Sequence, residues 1–479
     1  MKFKLAIVLT VVTFTLILSS CNDDQVFYTG SDASLTLRSD TIFFDTVFTS
    51  NIPRIPLSVN KQLVVVNPLK EAVKTDFMLY GGSESVFRIN VDGEVGPSVS
   101  DIEIGPGDSI FVFVELSVDE NDDPQSLPLI VRDSLSISTN GNQQQVQLMA
   151  WGQDAEYFFR DTLCDVTFSD KQKPYVVYGY LYVPENCKLT IEEGVKMHFA
   201  PRSWLYVEGT LEIRGTKDEP VEFQGDRLQP DFEEVAGQWG GIWIDKLSRG
   251  STIKHAIIKN GTVGIYCDST TGFSYNMPPA VVVDNTLVRN MSFDGLSGKS
   301  ARIIARNSIF TNCGRYSFLG LFGGVYDLKH CTFATYGYDF ARRDPTFVVN
   351  NVRLNDFNQI VQVYPTQYDV ANCLIDGSLE SEAAFATFTG IDEPLLFGDT
   401  SFHHNLVKHD RKLDYKGMGN VIVPMGEDAG LVNPQGREYR LLPSSKARDI
   451  GDPIPGISLD YLEATRDAKP DAGAIEFVP

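Results

Sequence analysis

The motif Asn307-Ser308-Ile309-Phe310 decides the fold, because versions of it recur along the chain. Each version starts with Asn or His, usually continues with a small residue, has a variable third residue and ends with an aliphatic residue or Phe. The other versions start at His255, Asn285, His330, Asn351, Asn372 and His404. Successive starts are separated by 30, 22, 23, 21, 21 and 32 residues. A common period near 22 residues predicts a stack of repeated structural units.

Two architectures repeat at this length, the leucine-rich repeat and the parallel β-helix. The fixed leucine spacing of the first is missing, whereas short runs of Val, Ile and Phe closed by Gly and Asn favour the second. We therefore predict one coil of a parallel β-helix for each motif. The two long intervals contain residues 268–279 and 379–400, which we predict to be loops that leave the coils.

The residues before and after the repeats support this fold. Residues 189–195 and 205–211 read Leu-Thr-Ile-Glu-Glu-Gly-Val and Leu-Tyr-Val-Glu-Gly-Thr-Leu. They closely resemble the opening coils of right-handed parallel β-helix proteins of the pectate-lyase-like architecture. Residues 470–477 (Pro-Asp-Ala-Gly-Ala-Ile-Glu-Phe) resemble the end of bacterial surface β-helix proteins. The resemblance implies a right-handed parallel β-helix over residues 157–420 and a C-terminal cap over the last coil at residues 421–479.

Residues 33–152 have a different pattern, in which apolar side chains occupy every second position. Ile110, Val112 and Val114, for example, share one face of a strand. Turn sequences such as Gly105-Pro106-Gly107-Asp108 separate the short strands, and this arrangement predicts a β-sandwich. The segment resembles immunoglobulin-like domains of the major-sperm-protein type, so we expect an all-β chain with this sandwich ahead of the β-helix.

The first 20 residues resemble a bacterial lipoprotein signal peptide. Lys2 and Lys4 precede an uncharged apolar run over residues 5–18, which has the order of a secretory signal and is too short to span a bilayer comfortably. Leu18-Ser19-Ser20-Cys21 then resembles a lipobox, the site at which a cysteine accepts diacylglycerol. The resemblance implies lipidation of Cys21, with a lipid bilayer as partner and a tether at residues 21–32. An ordinary signal peptide cut before a cysteine is the alternative.

Charge limits the other partners. The chain has 41 basic and 63 acidic residues, which gives a formal net charge of −22. Such a surface repels nucleic-acid phosphates, so nucleic acid is not an expected partner. The acidic start Asn22-Asp23-Asp24 favours display on the outer face of an outer membrane, and we expect a location in the cell envelope.

The repeat also places the cysteines. Cys164 and Cys187 lie one coil length apart, which predicts a disulfide between stacked coils. Cys331 and Cys373 hold the same position of the motif, with the Asn351 version between them, so we expect about 9.6 Å between them. That distance exceeds the reach of a disulfide, and both are predicted to be small buried core residues.

The recurring Asn and His side chains are predicted to hydrogen-bond from coil to coil, as amide ladders do in stacked β-strands. A metal site is the alternative for His255, His330 and His404. Three coils separate each pair, or roughly 14 Å, whereas zinc-bound nitrogens lie ~2 Å from the metal. We therefore predict neither a metal site nor a cofactor.

The β-helix invites comparison with enzymes that cleave polysaccharides. The ordered Asn-Thr-Asp, Asp-Asp and Arg-x-Lys motifs of polygalacturonase-like enzymes are missing. Polysaccharide lyases need a base such as Lys or Arg, and Arg302 and Arg306 can share one strand face. These two are the catalytic candidates, although exposed strand surfaces often carry such charges.

Residues 314–347 are unusually rich in aromatic residues, many of which are predicted to lie in the core. Tyr336 and Tyr338 fall between two coils, where exposed rings can stack on sugars, and Arg342 and Arg343 can pair with acidic groups. We therefore predict a membrane-anchored, non-catalytic lipoprotein that binds glycan or another extracellular partner. A polysaccharide lyase or another glycan-cleaving enzyme is the alternative.

Overall fold

β-Strands make up most of the regular structure in the described part of the chain. The structure is a computed structural model, and it describes residues 26–49, 59–119, 129–269, 276–336, 341–387, 397–410, 418–424 and 426–479. The chain divides into two units, Met1–Asp154 and Ala155–Pro479. The described helical segments are 3-10 turns at Gly82–Glu84 and Pro230–Phe232.

The first unit is a β-sandwich. Its strands are β1 (Thr36–Leu37), β2 (Thr41–Phe48), β3 (Val59–Val66), β4 (Val73–Leu79), β5 (Phe87–Val91), β6 (Glu94–Gly96), β7 (Ser98–Ile104), β8 (Ser109–Leu116), β9 (Leu129–Thr139) and β10 (Asn142–Gln153). They form two five-stranded sheets, in the orders β1-β3-β8-β5-β6 and β2-β10-β9-β4-β7. Buried residues of both sheets, such as Phe44 and Val112, belong to one core cluster, so the predicted alternation places one face of each strand inside.

The second unit is a parallel β-helix. Its earlier strands are β11 (Glu156–Thr162), β12 (Val166–Phe168), β13 (Tyr175–Val183), β14 (Lys188–Glu192), β15 (Lys196–Phe199), β16 (Trp204–Val207), β17 (Thr210–Arg214), β18 (Val221–Gly225), β19 (Gly241–Ile244), β20 (Ser251–Lys254), β21 (Ala256–Lys259), β22 (Ile265–Cys267), β23 (Val281–Asp284) and β24 (Leu287–Met291). Its later strands are β25 (Leu296–Arg306), β26 (Ile309–Cys313), β27 (Phe318–Lys329), β28 (Thr332–Thr335), β29 (Phe347–Asn350), β30 (Val352–Leu354), β31 (Ile360–Val363), β32 (Thr366–Ala371), β33 (Leu374–Gly377), β34 (Ala383–Ala386), β35 (Phe397–His403), β36 (Leu406–Lys408), β37 (Val421–Val423), β38 (Leu431–Asn433) and β39 (Glu438–Leu441).

Each coil passes through three faces, which we call sheets A, B and C. Sheet A contains β12, β14, β17, β20, β23, the second halves of β25 and β27, β32 and β35. Sheet B contains the first half of β13, β15, β18, β21, β24, β26, β28, β33, β36 and β37. Sheet C contains the second half of β13, β16, β19, β22, the first halves of β25 and β27, β29 and β34. The long strands β13, β25 and β27 therefore bend at a corner and serve two sheets.

The interior is a set of apolar columns that run from coil to coil. The parallel register places Leu181, Leu205, Ile242, Ile265, Leu296, Phe318 and Phe347 in one such column on sheet C. Each of these side chains is fully buried. Burying one of them contributes roughly 1.5–3 kcal/mol, so each added coil extends a continuous core.

The recurring Asn or His marks the corner between sheets A and B. His255, Asn285, Asn307, His330, Asn372 and His404 all have positive φ, between 43° and 54°. Asn and His enter the left-handed region more readily than most residues, and that conformation turns the chain from one sheet to the next. The motif therefore reports a backbone requirement of the corner.

The predicted ladder at this corner is mostly wrong. Asn372 Nδ2 contacts His330 Nε2 at 2.9 Å, but Asn307 Nδ2 donates to Leu459 O at 2.8 Å instead. An amide ladder lies at the other end of sheet B, where Asn312 donates to Asn290 at 2.6 Å and Asn290 donates to Asn260 at 3.3 Å.

The Asn351 version of the motif is not a coil. Asn351 follows β29 on sheet C, and residues 352–363 form the antiparallel hairpin β30–β31, which leaves the helix. Residues 379–400 are also more than a loop, because they include β34 of sheet C. Residues 268–279 do separate β22 from β23, as predicted, and 270–275 lie outside the described residues.

The cysteines follow the corrected register. Cys164 and Cys187 are joined in a disulfide, with their Cα atoms 4.7 Å apart. Cys331 and Cys373 lie on directly adjacent coils, so the predicted intervening coil is wrong, and Cys331 N contacts Cys373 Sγ at 3.4 Å. Both are nevertheless free and buried, as are Cys267 and Cys313.

The C-terminal segment covers the outer surface of the later coils of sheet B. Residues 421–423 still form a strand of sheet B, paired with β36. Beyond it, Leu431, Tyr439 and Ala474 share a core cluster with outward-facing residues of sheet B. Sheet B carries apolar side chains on its outer surface as well as its inner one, so it needs a second layer, and the closing segment supplies it.

Candidate functional site

The catalytic candidates Arg302 and Arg306 lie on sheet A, and both already have protein partners. They project from the outer side of β25, as predicted, with Ile304 between them. Arg302 Nη1 donates to Met277 O, and Arg306 lies 4.0 Å from the Asp327 carboxylate. These contacts do not by themselves mark a reaction centre.

The glycan-binding candidates near residue 340 are mostly engaged inside the protein. Arg342 forms an ion pair with Glu382 at 2.7 Å, and the two side chains are 2% and 0% exposed. The Tyr336 hydroxyl donates to the buried Asp376 at 2.5 Å, and burial and this carboxylate raise the pKa of Tyr336. Arg343 is exposed, whereas Tyr338 lies outside the described residues. Arg342 and Tyr336 therefore stabilise the fold through these contacts, and glycan binding at this patch stays a prediction.

The remaining sequence predictions concern the lipidation of Cys21, metal sites and membrane-spanning segments. Cys21 lies outside the described residues. Among the residues that are described, no group of three or more His, Cys, Asp or Glu side chains is placed to hold a metal ion. No helix in that part of the chain is long and apolar enough to cross a membrane.

The three outer faces of the β-helix differ in what occupies them. On sheet A, opposite charges pair from coil to coil, as between Lys188 and Glu212 at 3.0 Å and between Lys329 and Asp369 at 2.6 Å. On sheet B, the C-terminal segment covers the later coils. Sheet C differs from both, because its first coils present aromatic rings.

We call this group of rings the aromatic strip. Its members are Tyr180, Tyr182, Trp204, Tyr206, Trp243 and Tyr266. All six are partly exposed, and Tyr180 is the most exposed at 36%. Neighbouring rings touch: the centroids of Tyr206 and Trp243 are 5.9 Å apart, and those of Trp243 and Tyr266 are 4.7 Å apart. Such contacts fix the rings relative to one another.

The strand register arranges the strip in columns. Tyr182, Tyr206, Trp243 and Tyr266 occupy equivalent positions on four successive coils. Four rings at the spacing of parallel strands span roughly 14 Å. Because strand residues alternate between faces, these four point outward while Leu205 and Ile242 beside them point into the core.

A glycine makes room for the indole of Trp204. It is not Gly241, which stands in register with Trp204 on the next coil, because a Cβ atom there would clash with Val263 O and lie 3.5 Å from Cζ3 of the indole, an ordinary contact. A Cβ atom on Gly240 would lie only 2.1 Å from Cε2 of Trp204. The indole therefore lies across the backbone of the next coil, a position that any larger residue at 240 would block.

A column of carboxylates follows the strip. It consists of Glu208, Asp245 and Asp268, and we call it the acidic column. Tyr182 donates its hydroxyl hydrogen to Glu208, which raises the pKa of Tyr182 to about 12. Tyr266 Oη lies 3.4 Å from Asp268 Oδ1, and burial together with Asp268 raises the pKa of Tyr266. The tyrosines are therefore neutral hydrogen-bonding groups at any physiological pH.

This arrangement offers the chemistry of a carbohydrate site. Aromatic rings pack against the C–H faces of a sugar, and carboxylates accept hydrogen bonds from its hydroxyl groups. The sequence contains a signal for the strip, which is the spacing of several of its aromatic residues by about one coil. Tyr180 and Tyr182 precede Trp204 and Tyr206 by 24 residues each, and Trp243 precedes Tyr266 by 23, which is one coil.

Comparisons with known proteins show no relative in sequence. No family model and no curated protein matches the chain. Similar structures include the catalytic unit of a GH87 α-1,3-glucanase from Streptomyces thermodiastaticus, with 10% identity and a TM-score of 0.22 over 77% of this chain and 88% of that one. They also include the PapD-like domain 7 of human CEP192, with 10% identity and a TM-score of 0.19 over 27% and 92% of the two chains.

A family 123 glycoside hydrolase from Clostridium perfringens is similar over 27% of this chain and 30% of its own, with 9% identity and a TM-score of 0.18. The chain thus spans less than a third of that structure. Likenesses of this size carry no argument about function. The assignment of the parallel β-helix rests instead on the continuous parallel register of this chain's own strands.

Proposed function

We propose that this protein binds a polysaccharide along the aromatic strip of sheet C. The observation that carries the proposal is the column of Tyr182, Tyr206, Trp243 and Tyr266, one partly exposed ring on each of four successive coils. Strands of successive coils lie about 4.8 Å apart. A glycan chain that lies along the column therefore passes one ring at each coil.

Burial and charge support this choice of face. The first coils of sheet C expose large apolar rings, whereas the ion pairs of sheet A satisfy one another. The C-terminal segment covers the later coils of sheet B, and its first coils carry polar residues such as Lys196 and Glu222. Rings that are held by their neighbours lose little conformational freedom when a ligand arrives, so more of the contact energy appears as affinity. The proposal includes binding and no reaction.

We also propose that lipid on Cys21 holds the protein in the cell envelope, at an outer membrane. Its support is the sequence Leu18-Ser19-Ser20-Cys21 after an uncharged apolar run. A stable anchor requires more than one acyl chain, which a diacylglycerol supplies. The Cys21→Ala variant should move from the membrane fraction to the soluble fraction. A variant that stays with the membrane would contradict the anchor.

Affinity electrophoresis tests glycan binding directly. The protein without residues 1–21 is run through native gels that contain one dissolved polysaccharide each, and binding slows its migration. We expect at least one neutral polysaccharide to retard the wild type and Trp243→Ala to weaken that binding about tenfold or more, as loss of a central aromatic contact does.

Phe357→Ala is the matched control, because Phe357 is an aromatic residue of the same unit that is 83% exposed and lies outside the strip. It should migrate like the wild type. Equal retardation of wild type and Trp243→Ala by every polysaccharide that binds would place the site elsewhere and refute the proposal.

A further inference from the structure

We propose that the aromatic strip selects neutral glycans and rejects polyuronates, because the acidic column runs beside its rings. This inference rests on the proposed function and narrows it to a class of ligand. It concerns the carboxylates of the acidic column, which a bound sugar would contact beside the rings.

Backbone hydrogen bonds place the acidic column next to the strip. Asp245 N donates to Val207 O at 2.8 Å, and Asp268 N donates to Ile244 O at 2.9 Å, so the parallel stacking continues past the strand ends. Each carboxylate follows a strip ring by two residues, as Asp245 follows Trp243. Residues two apart in extended chain share a face, so ring and carboxylate project on the same side at each coil.

Little positive charge offsets the column. Lys299 continues it on the next coil and lies 3.7 Å from Asp268. No other Lys or Arg among the described residues forms an ion pair with the column. Arg202 is exposed, but it precedes Trp204 and so lies toward the opposite edge of the strip. With the exposed Lys246, which follows Asp245, and Glu185, whose charge contributes to raising the pKa of Tyr182, this edge carries four carboxylates and two lysines and stays negative.

The charge acts differently on neutral and acidic sugars. A neutral sugar donates its hydroxyl hydrogens to the carboxylates, and hydrogen bonds to ionised acceptors are the stronger kind. A uronate carries a carboxylate on its own sugar ring. The carboxylates of the acidic column repel this like charge. Part of this repulsion is screened by salt, so the discrimination should decrease as ionic strength rises.

The test compares neutral and acidic polymers on the same protein. Native gels contain laminarin, xylan or galactomannan as neutral probes, and polygalacturonate, alginate or hyaluronate as acidic probes. The second protein is the triple variant Glu208→Gln, Asp245→Asn, Asp268→Asn. The amides keep an acceptor oxygen for the N–H groups of Leu247 and Ser269, which Asp245 and Asp268 now bind at 3.1 Å and 2.6 Å.

We expect neutral polymers to retard the wild type and acidic polymers to bind at least tenfold more weakly. The triple variant should narrow that ratio by about tenfold, which corresponds to about 1.4 kcal/mol. A control triple, Glu94→Gln, Asp218→Asn, Asp231→Asn, removes three exposed charges elsewhere and should leave the ratio unchanged. The control triple therefore separates the effect of the acidic column from the effect of the protein's net charge of −22.

The outcomes distinguish the two proposals. If acidic polymers bind the wild type as well as neutral ones do, or if both triple variants change the ratio equally, the selection is wrong. Glycan binding at the strip still stands in either case, provided that Trp243→Ala weakens it. If no polymer retards the wild type, both proposals fail.

Discussion

Two aromatic regions of the β-helix have opposite roles, although their sequences look alike. Residues 314–347 are rich in rings, and the structure places Phe318, Phe333 and Phe347 fully inside, with centroids 5.0 to 5.7 Å apart. The aromatic strip spreads over residues 180–266, and its rings lie on the outer face. In a solenoid, the side of the sheet decides the role of a ring, and local density does not.

The difference arises from the position of each ring within its strand. Phe318 continues the inward column of Leu205 and Ile242, whereas Trp243 continues the outward column of Tyr206. A shift of one residue exchanges the two faces. Each prediction below tests whether the first region serves the fold and the second serves recognition.

The largest effect is expected at Arg342. The Arg342→Met variant leaves the Glu382 carboxylate buried without its cation, and such losses cost about 3–5 kcal/mol in the free energy of unfolding. Urea denaturation measures the change. Arg343→Ala removes the exposed neighbour and should change both stability and glycan retardation very little. Lost glycan binding in Arg343→Ala with unchanged stability would return the recognition site to residues 336–343.

The disulfide should have the next largest effect. Cys164–Cys187 closes the corner of the first coil, beside the strand that carries Tyr180 and Tyr182. The double variant Cys164→Ser, Cys187→Ser should lose about 2–4 kcal/mol of stability, and reductant should produce the same loss in the wild type. Cys331→Ala should respond to reductant as the wild type does. A wild type with the same unfolding midpoint with and without reductant would show that the bond does not form.

The third effect measures how completely the fold around residues 314–347 buries His330. His330 is fully buried, and burial lowers its pKa to about 2. The unfolded state takes up a proton below about pH 6.5 and the folded state does not, so stability is complete above that pH and decreases as the pH falls. At pH 5 the loss should be about 2 kcal/mol.

His330→Asn is the matched variant, because Asn occupies the same corner at residues 307 and 372 with positive φ. Its stability should lack this part of the pH dependence. Burial raises the pKa of Asp226 and of Asp294 to about 6, which stabilises the folded state as the pH falls, but both proteins share these groups. Parallel curves of unfolding free energy between pH 7.5 and pH 5 would contradict the assignment.

Sequence periodicity predicted the fold because few backbone conformations turn the chain at the corner of a coil. The positive φ at one corner admits Asn and His readily, so those residues recur and reveal the coil length. The same motif misled at Asn351, where Asn followed by alternating residues starts a hairpin instead. Four letters cannot distinguish a corner that continues the solenoid from one that leaves it.

The site was harder to predict than the fold. The partners of Arg342 and Tyr336 are Glu382 and Asp376, 40 residues away in each case, and only the stacking of coils brings them together. The strip was predictable in part, since Tyr182 and Tyr206 are 24 residues apart and Trp243 and Tyr266 are 23 apart, whereas 37 residues separate Tyr206 from Trp243. Finding it requires the register first, because an inward ring and an outward ring differ by one position in a strand.

The smallest effect tests the geometry of the strip itself. In Gly240→Ala, the new Cβ would stand 2.1 Å from Cε2 of Trp204, so the indole must leave its place on the next coil. Glycan affinity should fall about threefold, or about 0.65 kcal/mol, while stability changes little because the indole lies on the surface. Affinity electrophoresis and urea denaturation of the same samples measure both quantities.

Trp204→Ala supplies the comparison for this variant. If Gly240→Ala acts only by displacing the indole, adding it to Trp204→Ala should cause no further loss of affinity, since the two changes remove the same contact. Gly105→Ala, whose new Cβ would have its nearest neighbour at 3.6 Å, controls for the effect of a glycine substitution alone. Additive losses from Gly240→Ala and Trp204→Ala would show that Gly240→Ala lowers the affinity through the backbone. The affinity would then not depend on the position of the Trp204 ring over the next coil.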